Sequence, residues 1–309
     1  MNTLKTYILA TRPGFLSITL LGCAIGIFAN QHYQTANYVL NTIAISVILC
    51  IHAFANVLND YFDHLNGGDL LNHDRVSPYT GGSRFIQDSR INPGKTLLLA
   101  FSLLTIAIIL GLIVCINSSW NIFVLGILGV LIAWGYSAPP LELMSRGIWG
   151  ELAISLAWSL IVIGFSTLQT GDFLINTIPI ALSYGLIVAN ILFLNQIPDM
   201  KADRTVGKLT LAVKIFPHQL WQWYVGIFLS AYLLQISAIL FKAIGIHTLL
   251  TFFAMPAFIA CAVKLRKAPL SRAVLTHIIP LNILGAHLYA AALIAGLYWD
   301  HQHWQSINI

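Results

Sequence analysis

The sequence predicts an all-α integral membrane protein, on the evidence of its composition, its apolar segments and its distribution of basic residues. Hydrophobic residues make up 58% of the 309-residue chain, and only 9% of its residues are charged. The mean hydropathy is +0.79. Because soluble domains carry about 25% charged residues, this composition excludes a water-soluble fold.

Nine apolar segments are long enough to cross about 30 Å of hydrocarbon as helices. We place them at residues 13–30, 38–58, 96–116, 120–138, 148–168, 173–194, 220–240, 245–263 and 279–298. Lys5 and Arg12 precede the first segment as basic residues do in a signal peptide. No clear small-residue cleavage site follows them, so we expect this segment to be retained as a span.

The basic residues test this count. If the N-terminus is cytoplasmic and the nine segments alternate in direction, Lys242 is the one basic residue of 16 that falls on the opposite side. Cytoplasmic loops are enriched in lysine and arginine, and a missed or extra span would scramble the pattern. The sequence therefore predicts nine spans with a cytoplasmic N-terminus.

Two long cytoplasmic connections, at residues 59–95 and 195–219, contain most of the polar residues. They lie four spans apart, and each begins with an Asn/Asp cluster and continues through glycines and basic residues. We interpret this pattern as a single domain, residues 1–309, built from two four-helix halves plus a ninth helix.

Each connection begins with oxygen-bearing side chains that share one helix face. At about 100° per residue, the first set covers one third of a helix circumference. In the second set the residues are spaced by four, and Pro198 between them should loosen the helix. The first set is Asn56, Asn59, Asp60 and Asp63, and the second is Asn195, Asp199 and Asp203.

Ligand sets that contain oxygen but neither histidine nor cysteine indicate a hard cation, and we predict Mg²⁺. Two facing carboxylate sets would repel each other without cations, so the pair suits one or two ions and a diphosphate. Basic side chains in the same connections are candidates for the remaining phosphate oxygens. They are Arg75, Arg84, Lys201, Arg204 and Lys208.

A diphosphate site at the rim of a membrane cavity suits an amphiphile with a long apolar tail. A polyprenyl diphosphate fits, because departure of its diphosphate would leave an allylic cation for an electron-rich partner to capture. Tyr136 is a candidate to shield that cation with its ring. The expected partners are this diphosphate, an acceptor and membrane lipid.

Other functions fit less well. A secondary transporter is the alternative from a different class, but its ionisable residues should lie near the bilayer midplane rather than at span ends. The chain has no basic arm and no soluble module, so we expect no nucleic-acid partner. No obligatory protein partner is evident.

Three segments resemble the UbiA superfamily of intramembrane aromatic prenyltransferases. They are Asn-Asp-Tyr-Phe-Asp at residues 59–63, Asp199 and Asp203 followed by Gly-Lys-Leu-Thr-Leu-Ala-Val at residues 207–213, and Tyr-Ser-Ala-Pro-Pro at residues 136–140. The resemblance implies a nine-helix bundle around a central cavity open sideways to lipid. It also implies Mg²⁺ dependence and transfer of a polyprenyl group to an aromatic acceptor.

Carried over by position, the resemblance assigns metal–diphosphate contacts to both clusters. The first contact falls on Asn56, Asp60 and Asp63, and the second on Asp199 and Asp203. The same comparison places Arg75, Lys201 and Lys208 at phosphate-binding positions.

The spacing after the first cluster bears on the acceptor. Many members have a third Asp at the position of Gly67, whereas the next acid here is Asp69. The longer spacing resembles the branch that acts on 1,4-dihydroxy-2-naphthoate in menaquinone synthesis. That resemblance implies an enzyme of the bacterial inner membrane. The branch that acts on 4-hydroxybenzoate is the alternative. Two residues depart from the family pattern: Met144 stands where many members have a basic residue, and Leu209 where many have arginine. These departures bear on which acceptor is used more than on the class of reaction.

Overall fold

A computed structural model describes residues 3–29 and 37–307, which are predominantly helical. The α-helices are α1 (Thr3–Ala10), α2 (Pro13–Phe28), α3 (Tyr38–Asn66), α4 (Gly68–Leu71), α5 (Pro93–Ile116), α6 (Trp120–Ser137), α7 (Trp149–Thr170), α8 (Ile178–Gln196), α9 (Met200–Thr205), α10 (Leu211–Lys214), α11 (Leu220–Leu240), α12 (Met255–Lys267) and α13 (Arg272–Ile307). Short 3₁₀ helices lie at Leu143–Ser145, Ile175–Thr177, Pro217–Gln219 and Ile246–Ala254.

Eight helical segments in the described ranges are long and apolar enough to cross a membrane. They are Tyr38–Asn66, Pro93–Ile116, Trp120–Ser137, Trp149–Thr170, Ile175–Gln196, Pro217–Leu240, Ile246–Lys267 and Arg272–Gln302. A ninth is obtained if α1 and α2, bent by 53° at their junction, form one span. The predicted multi-span helical fold is confirmed, and the count of nine stays a prediction that depends on this bent pair.

Helix α3 is longer than the segment predicted at residues 38–58. It continues to Asn66 and ends where Gly67 adopts a left-handed conformation (φ 82°), which glycine reaches without steric cost. The connection predicted at residues 59–95 therefore begins later than expected. As a result, the whole first oxygen-rich cluster is held on a rigid helix.

Two glycines allow α7 to pack closely against its neighbouring helices. A Cβ atom on Gly185 would lie 2.2 Å from the Ser155 carbonyl oxygen, and one on Gly26 would lie 2.5 Å from the Val162 carbonyl oxygen. Small residues allow such contacts between membrane helices, where packing and not water exclusion drives association. Helix α7 is thus packed tightly between α2 and α8.

Polar side chains join α8 to α11 and α13 within the apolar core. Ser183 lies 2.6 Å from both the Ala231 carbonyl oxygen and the Tyr289 hydroxyl, and that hydroxyl donates to Gln235 at 2.9 Å. All four residues are fully buried. Lipid offers no hydrogen-bond partners, so polar groups inside the bundle must bond to one another. These hydrogen bonds therefore hold α8, α11 and α13 together.

Short elements gather at one end of the bundle. Strand β1 (Arg146–Gly147), after α6, pairs in parallel with β2 (Leu209–Thr210), after α9. Helix α4 contacts α9, and α10 packs against β1 and α8. The connections after α3, α6 and α8 therefore meet at this end, which we call the site end.

Candidate active site

The first cluster lies on the last turns of α3 and is joined to the bend between α1 and α2. Arg12 adopts a left-handed conformation at that bend (φ 54°), and its guanidinium donates to Asp60 and Asn59. Asp60 is only 4% exposed. Asn56 donates to the Thr11 carbonyl oxygen at 3.0 Å. The bend thus places a cation directly on the acidic face of α3.

The second cluster follows the end of α8. As the sequence predicts, the helix breaks at Pro198: α8 ends at Gln196 and α9 begins at Met200. The Asp203 amide donates to the Asp199 carbonyl oxygen at 2.9 Å, so the two acids remain one turn apart. Asn195, Asp199 and Asp203 all line the same cavity despite the break.

Lys208 connects the two clusters. Its Nζ atom lies 2.9 Å from Asp63 Oδ1 and 3.7 Å from Asp203 Oδ1. The three side chains are only 14%, 10% and 9% exposed, respectively. The oxygen-rich faces of α3 and α9 therefore converge on one site at the site end, although they are far apart in the sequence.

The connection between α3 and α5 also contacts both clusters. Asn72 Nδ2 donates to Asp199 Oδ1 at 2.6 Å, and the Gly81 amide donates to Asp199 Oδ2 at 3.2 Å. The Ser83 amide donates to Asp60 Oδ1 at 3.3 Å. One segment of backbone thus fixes carboxylates from both sides of the site.

Gly82 allows this backbone to approach the carboxylates. It has a φ of 67°, and a Cβ atom there would lie 2.6 Å from Asp69 Oδ2 and 3.1 Å from Asp60 Oδ1. Asp69 in turn accepts from Gln87 at 3.1 Å, and its carbonyl oxygen accepts from Arg84 at 2.6 Å. Asp69 therefore belongs to the site, next to Asp60.

Three acids of the site that lie outside the spans have raised pKa values. Burial, reinforced by neighbouring carboxylates, raises the pKa of Asp69 to about 7. Burial likewise raises the pKa of Asp203 to about 7, against the opposing charge of Lys208, and raises the pKa of Asp199. Burial lowers the pKa of Lys208, but Asp63 and Asp203 outweigh it, so the net shift is upward and this ammonium stays charged.

A cavity of about 360 Å³ opens from this site into the apolar part of the bundle. Its lining on α3 runs from Ala44 to Asp63, which at 1.5 Å per residue is about 28 Å, close to the thickness of the hydrocarbon core. Apolar residues and glycines line the part away from the site. The glycines there are Gly111, Gly126, Gly129 and Gly164.

The end of α6 and the residues after it form one wall near the first cluster. Tyr136 lines the cavity. Asn59 Nδ2 lies 3.1 Å from the Met144 sulfur and 3.4 Å from Ser137 Oγ. Of the two residues that depart from the family pattern, Met144 is therefore buried in the cavity wall, whereas Leu209 is 43% exposed.

Four of the predicted phosphate-binding residues lie outside the cavity lining. Lys201 pairs with Asp74 at 2.8 Å on the surface, where the side chains are 84% and 50% exposed. Arg75 packs beside Gly81.

The other two donate to backbone carbonyl oxygens, Arg84 to that of Asp69 and Arg204 to that of Val213. The structure instead brings Lys208 and Arg12 to the acids, and the phosphate roles of the other four residues stay predictions.

The donors fit a hard cation that shares its ligands with a substrate. Within residues 3–29 and 37–307, no three His, Cys, Asp or Glu side chains form the ligand set of a metal by themselves. Mg²⁺ usually takes one or two carboxylates together with water and phosphate oxygens, so no such trio is needed. Asp60 beside Asp69, and Asp63 beside Asp203, are carboxylate pairs of this kind.

Sequence reasoning missed two residues of this site. Arg12 counted only as a cytoplasmic charge, and Asn72 received no role, yet each contacts a clustered acid. The position of Arg12 just before Pro13, at a break in an apolar segment, is a local signal that would have marked it. Nothing in the sequence around Asn72 indicates its contact with Asp199, 127 residues away.

The chain also matches a known protein family. The sequence profile of the UbiA prenyltransferase family matches residues 16–274. The chain belongs to the UbiA prenyltransferase family. It is an enzyme of that family, as the resemblance predicted, and its relatives include named octaprenyltransferases.

Two curated relatives illustrate the range of the family. The chain is 28% identical to UbiA prenyltransferase domain-containing protein 1 of Dictyostelium discoideum, over 75% of this chain and 71% of that protein. It is also 28% identical to the 1,4-dihydroxy-2-naphthoate octaprenyltransferase of Bacillus subtilis, over 66% of this chain and 63% of the relative.

Solved UbiA structures share the fold. A homologue from Archaeoglobus fulgidus, bound to DMAPP and Mg²⁺, superposes with a TM-score of 0.64 at 16% identity, over 93% of this chain and 99% of that one. An apo homologue from Aeropyrum pernix gives a TM-score of 0.67 at 14% identity, over 91% and 98%. At these identities the likeness establishes the fold alone.

Proposed function

We propose that this UbiA-family enzyme transfers a polyprenyl group from a polyprenyl diphosphate to an aromatic acceptor, 1,4-dihydroxy-2-naphthoate, and releases diphosphate. The observation that supports it most is the convergence of Asp63 and Asp203 on Lys208 at the mouth of a long apolar cavity. A polar end that fits a diphosphate and an apolar end that fits a prenyl chain match the two parts of this donor.

The acids and bases at the mouth have distinct roles in the proposal. Asp60, Asp63, Asp199 and Asp203, with Asn56 and Asn195, orient the metal–diphosphate headgroup. Mg²⁺, when bound, neutralises diphosphate oxygens and so favours cleavage of the carbon–oxygen bond. Lys208 and Arg12 lie against the same acids and contribute charge to the departing diphosphate.

The cavity controls the fate of the allylic cation. Its apolar lining excludes water that would otherwise capture the cation, and Tyr136 offers an aromatic face beside the site. Capture by an electron-rich ring carbon forms the new carbon–carbon bond. The ring regains aromaticity when the attacked carbon loses its own substituent, a proton from an unsubstituted carbon or CO₂ from the carbon that bears the carboxylate. The prenyl tail runs from the site into the apolar part of the cavity, towards Ala44.

The proposed acceptor rests on relatives. 1,4-Dihydroxy-2-naphthoate octaprenyltransferases of Bacillus subtilis and Haemophilus influenzae are 28% and 26% identical to this chain. The later acid at Asp69, which lies beside Asp60 in the site, is consistent with that branch. We place the enzyme in menaquinone biosynthesis, and 4-hydroxybenzoate is the acceptor that tests the assignment.

The membrane arrangement follows from the same elements. We propose nine spans, with α1 and α2 as one bent span, arranged as two four-helix halves and a ninth helix. Every junction at the site end then faces the cytoplasm of a bacterial inner membrane, together with all basic residues except Lys242.

Purified protein in detergent tests this function directly. It should prenylate 1,4-dihydroxy-2-naphthoate, lose the activity in EDTA and regain it with Mg²⁺. Asp60→Ala and Asp199→Ala should abolish turnover at unchanged helicity, whereas Asp172→Ala, in an exposed turn between α7 and α8, should not. Turnover that persists in either site variant removes that residue from the mechanism. Prenylation of 4-hydroxybenzoate alone would reassign the acceptor, and solute exchange without product would favour a transporter.

A further inference from the structure

A histidine lies inside the cavity, away from the acids. His52 is on α3, one turn from Asn56, and both residues line the cavity. At 1.5 Å per residue, His52 is about 6 Å along the helix from Asn56 and about 12 Å from Asp60. The surrounding lining on α3, including Ile48 and Ile51, is apolar.

Two contacts fix the orientation of the His52 ring. Its Nδ1 atom lies 2.7 Å from the hydroxyl oxygen of Thr19, which is fully buried on α2. The ring packs edge to face against Trp158 of α7, with centroids 5.0 Å apart and an angle of 84°. Three helices therefore hold this imidazole in one position. Its other nitrogen, Nε2, makes no hydrogen bond to any residue that the structure describes.

A purely structural role explains only half of this arrangement. The bond to Thr19 joins α2 to α3, as polar side chains do between membrane helices. It does not account for Nε2, because a polar atom in an apolar membrane cavity is costly unless it meets a partner. The orphaned nitrogen indicates a ligand with a polar group at this depth of the cavity.

We propose that His52 Nε2 binds a ring hydroxyl of the aromatic acceptor. This inference rests on the proposed function, and it assigns the acceptor a position between His52 and the diphosphate site. A hydroxyl can both donate and accept, so the pairing holds for either tautomer of the imidazole. Trp158, which also lines the cavity, offers the acceptor ring an aromatic surface. Thr19 acts as a positioning residue, since it fixes Nδ1.

Substitution of His52 by phenylalanine should weaken binding of the acceptor and leave binding of the prenyl donor nearly unchanged. Phenylalanine keeps a planar aromatic ring, slightly larger than imidazole, and both nitrogens are lost. We expect the KM for 1,4-dihydroxy-2-naphthoate to rise roughly tenfold, the effect of losing one buried hydrogen bond, while the KM for the polyprenyl diphosphate changes less than twofold. His277→Phe, an exposed position on α13 outside the cavity, is the matched control and should change neither.

Inhibitor binding provides a test that does not depend on the variant. In wild-type protein, calorimetry should give 1-hydroxy-2-naphthoate or 4-hydroxy-2-naphthoate roughly tenfold tighter binding than 2-naphthoate, which lacks the ring hydroxyl. The variant should lose that preference. Equal binding of all three ligands by the wild type, or an unchanged preference in the variant, overturns the role of His52 while prenyl transfer stands. If the wild type transfers no prenyl group to any aromatic acceptor, the proposed function fails, and this inference fails with it.

Discussion

Replacement of Lys208 by methionine would remove the cation that joins Asp63 to Asp203 at the mouth of the cavity. Methionine keeps the unbranched apolar stem of the side chain and lacks only its terminal ammonium. Two buried carboxylates would then face each other with their shared cation gone, since Lys208 is the residue that contacts both. The variant therefore tests whether the two halves of the site are held together electrostatically.

The size of the effect follows from burial and distance. The lysine nitrogen lies 2.9 Å from Asp63 and 3.7 Å from Asp203, and all three side chains are less than 15% exposed. Removal of one partner from a buried ion pair costs about 3–5 kcal/mol, because the remaining charge is left uncompensated. At about 2 °C per kcal/mol for a chain of this size, the melting temperature should fall by roughly 6–10 °C.

Thermal unfolding in detergent at pH 8, with EDTA present, measures this loss. Lys201→Met is the matched control, because Lys201 pairs with Asp74 on the surface, where both side chains are at least half exposed. Such surface pairs contribute about 0–1 kcal/mol, so the control should shift by about 2 °C or less.

Addition of Mg²⁺ to both proteins tests whether a metal binds between the same acids. If a divalent cation binds between the acids, it supplies the missing positive charge, and the Lys208→Met protein should regain more stability with Mg²⁺ than the wild type gains. A variant as stable as the wild type in EDTA would refute the argument that Lys208 holds the clusters together. An equal response of both proteins to Mg²⁺ would refute metal binding between these acids.

Two further outcomes are expected. Gly129 lines the cavity, and a Cβ atom added there would meet no neighbouring side chain or helix within 4 Å, so a leucine at this position would project into the space of the prenyl tail. Gly129→Leu should therefore favour shorter prenyl donors and lower the ratio of kcat/KM for long donors to kcat/KM for short donors about tenfold. Gly226→Leu is the control, because Gly226 is equally open but lies outside the lining, and it should leave that ratio unchanged. Because burial raises the pKa of Asp69 and Asp203 to about 7, both bind protons at pH 6 that a metal must displace. The Mg²⁺ concentration for half-maximal activity should therefore rise roughly tenfold per displaced proton from pH 8 to pH 6, and a flat profile would exclude these acids as ligands.

Local patterns predicted most of the architecture. The segment at residues 120–138 corresponds to α6 at Trp120–Ser137, and that at residues 220–240 to α11 at Leu220–Leu240. Bilayer thickness sets the length of such segments, so hydropathy alone locates them. Helical periodicity likewise placed Asp60 and Asp63 on one face, because that relation spans a single turn.

Hydropathy did not locate the end of α3, because polar residues can extend a helix beyond the lipid. The prediction ended that span at residue 58, whereas the helix continues to Asn66 and stops at Gly67. Composition also gave no means to tell which basic residues of the connections contact the buried acids. Lys201 on α9 and Lys208 just after it are both lysines, yet Lys201 lies on the surface and Lys208 contacts the buried acids.

The amino-acid sequence by itself determined that this protein is a multi-span helical protein with two acidic motifs, because hydropathy and helical period are properties of neighbouring residues. Only the tertiary structure decided which cation meets which acid. Asp63 and Lys208 are 145 residues apart, and Arg12 and Asp60 are 48 apart. Contacts at such separations depend on how the helices pack and on where the connections fold back over them, and no local pattern encodes that geometry.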